Sequence, residues 1–317
     1  MRRIGHAART LVLSVAIALA ACGRHAAPVA RPAPDAAAPM APELRQLLTR
    51  GSALSLAGEQ DSALVVYREA MARWPNAYHV QAGLGTILDL MGRYAEARQH
   101  WARAIAVASP EQAPGAHQQL AVSYAFECRA DDAAREERAA IDARLAGRDF
   151  AGAAAVYNEQ ARIYLECGDP ERALAWYRLG YDTAARTAAL TDTAKALWQF
   201  RWEHAQARIA ARRGQPADAQ RHVAAAESIL ERGLNPDQLP FLPYLTGYVA
   251  FYGGDYAAAV AELQRASQTD PAVLTLLAGA YEKLGDDAAA RDYRRTAWSI
   301  NAHGLTVAFS RVQSAKR

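Results

Sequence analysis

A chain of 317 residues, 51% of them hydrophobic, has ample material for one large core or two ordinary ones. Its formal charge of +3 falls to balance, 33 basic against 33 acidic residues, once residues 1–21 are set aside, so nothing in the charge favours a nucleic-acid partner. Three cysteines without histidines at ligand spacing exclude a structural zinc site, and no cofactor is expected.

The chain starts "MRRIGHAARTLVLSVAIALAACG". Arg2, Arg3 and Arg9 form a basic start, and Leu11 to Ala21 form an apolar run well short of the roughly 20 residues that a bilayer span needs. Residues 1–21 therefore read as a secretory signal peptide. The run ends "LAAC", Leu19 to Cys22, which resembles the lipobox of bacterial lipoproteins. That resemblance implies cleavage before Cys22 and acylation of its thiol. Gly23 rather than Asp follows, which under the lipoprotein sorting rule implies the outer membrane of a Gram-negative cell, facing the periplasm. Residues 22–43 are Ala/Pro-rich and aperiodic, cannot pack a core, and read as a tether.

From there a hexapeptide recurs: "GEQDSA" at Gly58, "GRYAEA" at Gly92, "CRADDA" at Cys128, "GDPERA" at Gly168, "GQPADA" at Gly214, "GDYAAA" at Gly254 and "GDDAAA" at Gly285. Apolar helical periodicity flanks each copy, as with Leu84 and Leu88 before Gly92 and Ala97, Trp101 and Ala104 after it. Each unit is thus helix, tight turn, helix. The first position takes positive φ and stops one helix; Asp169 and Pro170 suit the N-cap and first turn of the next. The closing alanine, one turn in, lets the antiparallel helix approach.

This pattern resembles the tetratricopeptide repeat. The second unit carries the resemblance best, through Leu84, Gly85, Leu88, Gly92, Tyr94, Ala97, Trp101, Ala104 and Pro110. Seven units cover residues 44–303, and the fold class that follows is all-α, a right-handed superhelical solenoid. Cys128 stands for the glycine of the third unit and Glu137 for its aromatic; the fourth and fifth units are long. Residues 304–317 read either as a capping helix or as a disordered tail.

The resemblance implies a partner-binding groove lined by the first helix of each unit. Its candidate residues are Asn158 and Arg162 in the fourth unit and Arg201, His204, Arg208 and Arg212 in the fifth. The sixth adds Tyr244, Tyr248, Phe251 and Tyr252. A basic stretch beside an aromatic one suits an acidic extended peptide, because Arg pairs carboxylates bidentately. Arg stripes are also common on solvated faces, and "FLPYLTGYVAFY" is also what a helix buried between neighbours looks like. Cys128 and Cys167 fall near the ends of first helices in consecutive units. Neighbouring helix axes lie about 8–10 Å apart and a disulfide needs Cα atoms within about 7 Å, so a bridge and two buried thiols both stay open.

No H-E-x-x-H, G-x-S-x-G or phosphate-cradling glycine run occurs, so no catalytic residue and no enzyme is expected. The expected function is a membrane-tethered periplasmic scaffold that binds a protein or peptide in envelope, pilus or secretion-complex assembly. The alternative is a carrier of small or lipidic ligands in an aromatic pocket, with an enzyme behind both.

Overall fold

The computed structural model describes residues 40–315. The expected signal peptide, Cys22 and most of the expected tether lie outside the described residues, as do Lys316 and Arg317. Among the described residues there are fifteen α-helices, one 3-10 helix and no strand. They pair in chain order: α1 (Pro42–Leu56) with α2 (Gln60–Arg73), α3 (Tyr78–Leu90) with α4 (Tyr94–Val107), α5 (Ala113–Ala125) with α6 (Ala130–Ala146), and α7 (Phe150–Glu166) with α8 (Pro170–Ala184). There follow α9 (Asp192–Arg212) with α10 (Pro216–Glu231), a 3-10 helix (Pro236–Phe241), α11 (Leu242–Gly253) with α12 (Tyr256–Leu263), α13 (Pro271–Lys283) with α14 (Asp287–Trp298), and a last helix, α15 (Leu305–Ala315). These are seven hairpins in a superhelical solenoid plus one helix. The long units are where the spacing puts them, with 21 residues in α9. None of the described helices is long and apolar enough to cross a membrane.

Every copy of the hexapeptide is a hairpin turn. Its first residue has positive φ in all seven copies, from 51° at Cys128 to 100° at Gly168. At Gly92 the amide bonds the Asp89 carbonyl at 3.0 Å while the Arg93 amide bonds that of Leu88 at 2.8 Å, which pairs the carbonyls a helix end leaves free. Asp169, Asp255 and Asp286 then cap the next helix through their carboxylates. The closing alanines, Ala63, Ala97, Ala133, Ala173, Ala219, Ala259 and Ala290, are all 0% exposed. Opposite them the first helix offers no side chain where the second brings a large one. A Cβ on Gly85 would stand 2.7 Å from the indole of Trp101, closer than van der Waals contact permits.

The tail is a helix, and it packs inside the solenoid. Val307, Ala308 and Phe309 of α15 are buried in one cluster with Leu90 of α3, Val122 of α5, Phe126 just after it and Ile163 of α7. Ser310 bonds Thr275 of α13 at 2.9 Å, and buried Arg311 donates to the Leu90 carbonyl. The segment leading into α15 is fastened at Asp89, a fully buried carboxylate. Asp89 accepts from Trp101 Nε1 at 3.0 Å and Ser123 Oγ at 2.7 Å, and pairs with His303 Nε2 at 2.8 Å. One carboxylate thus joins two units to the C-terminal segment, and its buried charge is satisfied by three partners.

The third unit departs from the repeat in two ways, and the structure compensates one of them. Cys128 takes the glycine's left-handed conformation, which costs a side chain on the order of 1 kcal/mol. Its thiol is bonded to Cys167, with the Cα atoms 5.4 Å apart and 39 residues between them in sequence. The bridge clasps the third unit to the fourth. Glu137, in the aromatic's place, is buried, and its Oε2 has no hydrogen-bond partner. Burial, with the neighbouring carboxylate of Glu159 acting in the same direction, pushes its pKa well above the ordinary carboxylate range.

Two outcomes follow from this unit. Replacing Cys128 and Cys167 together by alanine lowers the unfolding free energy by about 2–4 kcal/mol, measured by denaturant titration of oxidised protein. The raised pKa of Glu137 means the folded state holds a proton that the unfolded state has released. Its contribution is complete below the unfolded value of about 4.5 and is lost as pH rises through the folded value. Glu137→Gln therefore melts higher than wild type at pH 8, and the gap closes towards pH 4.5; a gap constant across that range contradicts the assignment.

Candidate functional site

The first helices α5, α7 and α9 stand side by side, and the start of α15 lies across them. Between them is a cavity of about 620 Å³. Gln118 and Gln119 come from α5, Asn158, Glu159 and Arg162 from α7, and Tyr177 from α8. Phe200, Arg201, His204 and Arg208 come from α9, and Gln238 and Phe241 of the 3-10 helix and Leu305 of α15 stand at its edge. The spacing of Asn158 with Arg162, and of Arg201, His204 and Arg208, puts each set on one helix face, and the hairpin stacking turns those faces towards each other.

Charge in this cavity is lopsided. Arg208 is 6% exposed and donates to the Tyr177 hydroxyl at 2.7 Å, yet its Nε has no partner. The Nε of Arg162 is likewise buried and unpaired, and its guanidinium lies 5.9 Å from the ring of Phe309. Arg201 packs 4.8 Å from the ring of Trp198. None of the three forms an ion pair with a carboxylate among the described residues. The one acidic residue of the lining, Glu159, accepts from Gln118 at 2.7 Å, and burial raises its pKa. Burial lowers the basicity of Arg208, but Tyr177, Tyr244, Tyr248 and Glu166 outweigh it and hold the guanidinium charged. His204 stacks on Tyr244 at 6.0 Å, and burial, with Arg208 and Arg162 beside it, pushes its pKa well below the usual histidine range. It is neutral at physiological pH.

The rest of the sequence-derived set lies elsewhere. Arg212 bonds Tyr252 at 3.1 Å, Tyr248 at 3.4 Å and Glu166 at 3.4 Å, an internal cluster with its own counter-ion. Tyr248 is 1% exposed and Tyr244 is also buried. The Tyr252 hydroxyl is pushed up to about 12 by burial and by Glu166. Phe251 packs edge-on against Tyr256 at 5.7 Å. Arg212, Tyr244, Tyr248, Phe251 and Tyr252 do not line the cavity: α11 lies between neighbours, Tyr244 and Tyr248 are buried in the core, and Phe251 and Tyr252 pack half-buried against it. Gln118, Phe200 and Phe241 do line it and went unread in the sequence. Phe200 precedes His204 and Arg208 by four and eight residues on α9, and that spacing is the signal that places it on their face. The described residues hold no group of three or more His, Cys, Asp or Glu side chains placed to bind a metal ion.

The comparisons with known proteins agree with this architecture. A family model described as the tetratricopeptide repeat matches residues 154–185, which run from within α7 to the end of α8. No curated protein matches the chain. Among solved structures, a tetratricopeptide repeat protein from Parabacteroides merdae ATCC 43184 is similar at 14% identity and a TM-score of 0.50, over 86% of this chain and 98% of that one. The apo form of RapI is similar at 12% identity and a TM-score of 0.54, over 87% of this chain and all of that one. At such identities the likeness is one of fold. A tetratricopeptide repeat at residues 154–185, within a solenoid fold shared with tetratricopeptide-repeat structures, supports the family resemblance that the hexapeptide carries.

Proposed function

We propose that this protein is a lipid-tethered scaffold of the cell envelope, anchored through acylated Cys22 in the outer membrane and facing the periplasm. It holds an acidic segment of a protein partner against the face built by α5, α7 and α9. The fold is that of protein-interaction scaffolds, and the N-terminal 43 residues read as signal, lipobox and tether. The observation that carries the reading is the set of three arginines, Arg162, Arg201 and Arg208, gathered at one cavity with no ion pair to a carboxylate among the described residues. Arginines elsewhere are commonly paired within their own helix, as Arg93 is with Glu96 and Arg221 with Asp218. Leu239 and Phe241 add exposed apolar surface at the edge, where the rim of a partner contact is expected.

Two experiments test the two halves of this reading. Affinity capture from cross-linked envelopes with the Arg162→Ala/Arg201→Ala protein is expected to recover the partner at least tenfold less than wild type, with the circular dichroism spectrum unchanged. Equal recovery removes the groove assignment. Cys22→Ser protein is expected in the soluble periplasmic fraction, and a variant that still sediments with membranes removes the anchor.

A further inference from the structure

An open solenoid would present a continuous trough along its first helices. Here α15 occupies part of that trough, burying Val307 and Phe309 against α5 and α7, and the 3-10 helix places Phe241 at another edge. What remains is a cleft of about 620 Å³ that stays open to solvent. That size lies within the roughly 300–1,000 Å³ of small-molecule sites. It exceeds what a single carboxylate side chain of a passing peptide would fill.

The chemistry of the chamber is specific. Arg208 is more than nine-tenths buried with an unpartnered Nε, and Arg162 holds a second buried, unpartnered Nε on the facing helix. Buried charged donors without acceptors are costly, and an anionic oxygen cluster is the group that satisfies both. Glu159 lies close enough to feel the charge of Arg162, but its carboxylate accepts from Gln118 and, among the described residues, bonds neither idle Nε. Beside the arginines the rings of Phe200, Phe241 and Tyr177 supply an apolar wall. We propose that this chamber binds a small organic anion, a carboxylate or phosphate group on a compact apolar body, with Arg162, Arg201 and Arg208 together receiving its anionic oxygens. The proposal uses the same arginines as the scaffold reading and differs from it in the ligand, a small anion in place of a protein segment.

The test is isothermal titration of the full chain, purified in non-ionic detergent, with phenyl phosphate, phthalate and tetraglutamate. Expected is saturable one-to-one binding of at least one of the two aromatic anions, and the preference between them tells phosphate from carboxylate. Arg208→Gln and Arg201→Gln should each weaken it at least about tenfold, the scale of a lost charge-assisted hydrogen bond. Arg221→Gln, at an exposed residue paired with Asp218, should leave it unchanged. Arg201→Gln covers the case in which the buried Arg208→Gln fails to fold, as circular dichroism will show. Absence of binding by both aromatic anions overturns the proposal, as does binding that survives both chamber variants. Binding of tetraglutamate alone also overturns it and leaves the scaffold reading in place, whose own failure is read separately by partner capture.

Discussion

The solenoid depends on how closely the two helices of each hairpin approach. Seven turns with a positive-φ first residue bring the chain back on itself, and seven alanines five residues on are wholly excluded from solvent. A larger residue at these alanines would push the helices apart. A left-handed turn abolished at the first position would misdirect the second helix altogether. Each unit leaves one apolar face uncovered, which the next unit covers, so the spacing set within a hairpin propagates along the stack. The third unit shows the tolerance of this rule. Its turn residue is a cysteine in a strained conformation, and the same residue supplies the covalent link to the fourth unit.

Upon that regular frame two irregular features create the site. The first is the buried carboxylate of Asp89, which fastens the segment around His303 and so determines where α15 enters. The second is the greater length of α9, which carries Phe200, Arg201, His204 and Arg208 along a single helix face opposite Asn158 and Arg162. Neither alone encloses the cavity. The helix faces supply its walls, and the start of the returning tail narrows the trough at one edge.

Local signals made the repeat legible. The recurring hexapeptide, the Asp169-Pro170 cap and the long fourth and fifth units each express an interaction within one hairpin, so sequence periodicity reports them directly. The polar half of the site was legible for the same reason, because Arg201, His204 and Arg208 share one face of one helix. What escaped depends on neighbours distant in the chain. Residues 241–252, "FLPYLTGYVAFY", are apolar all round, and periodicity cannot say which side of such a helix meets solvent; in α11 the tyrosines turn inward to Arg212 and Glu166. The seat of α15 was likewise hidden, since Phe309 meets Ile163 across nearly half the chain. The bridge between Cys128 and Cys167 rests on a helix-to-helix distance that the sequence brackets without deciding.

The chamber and the internal cluster nearby make an instructive contrast in how buried charge is handled. Arg212 lies among Glu166, Tyr248 and Tyr252, so its guanidinium has a counter-ion and hydroxyl acceptors, and the cluster reads as structure. Arg208, one helical turn earlier on α9, has a single tyrosine acceptor and an idle Nε, and among the described residues the Nε of Arg162 opposite is idle too. His204 between them is kept neutral, which avoids a further positive charge in the same space. Packing would be better served by apolar side chains at these positions, since unpaired buried charge costs stability. Folds retain such arrangements at sites where the missing partner arrives from outside. On that ground we place the proposed ligand in the cavity between α5, α7 and α9 and not in the aromatic core beside it.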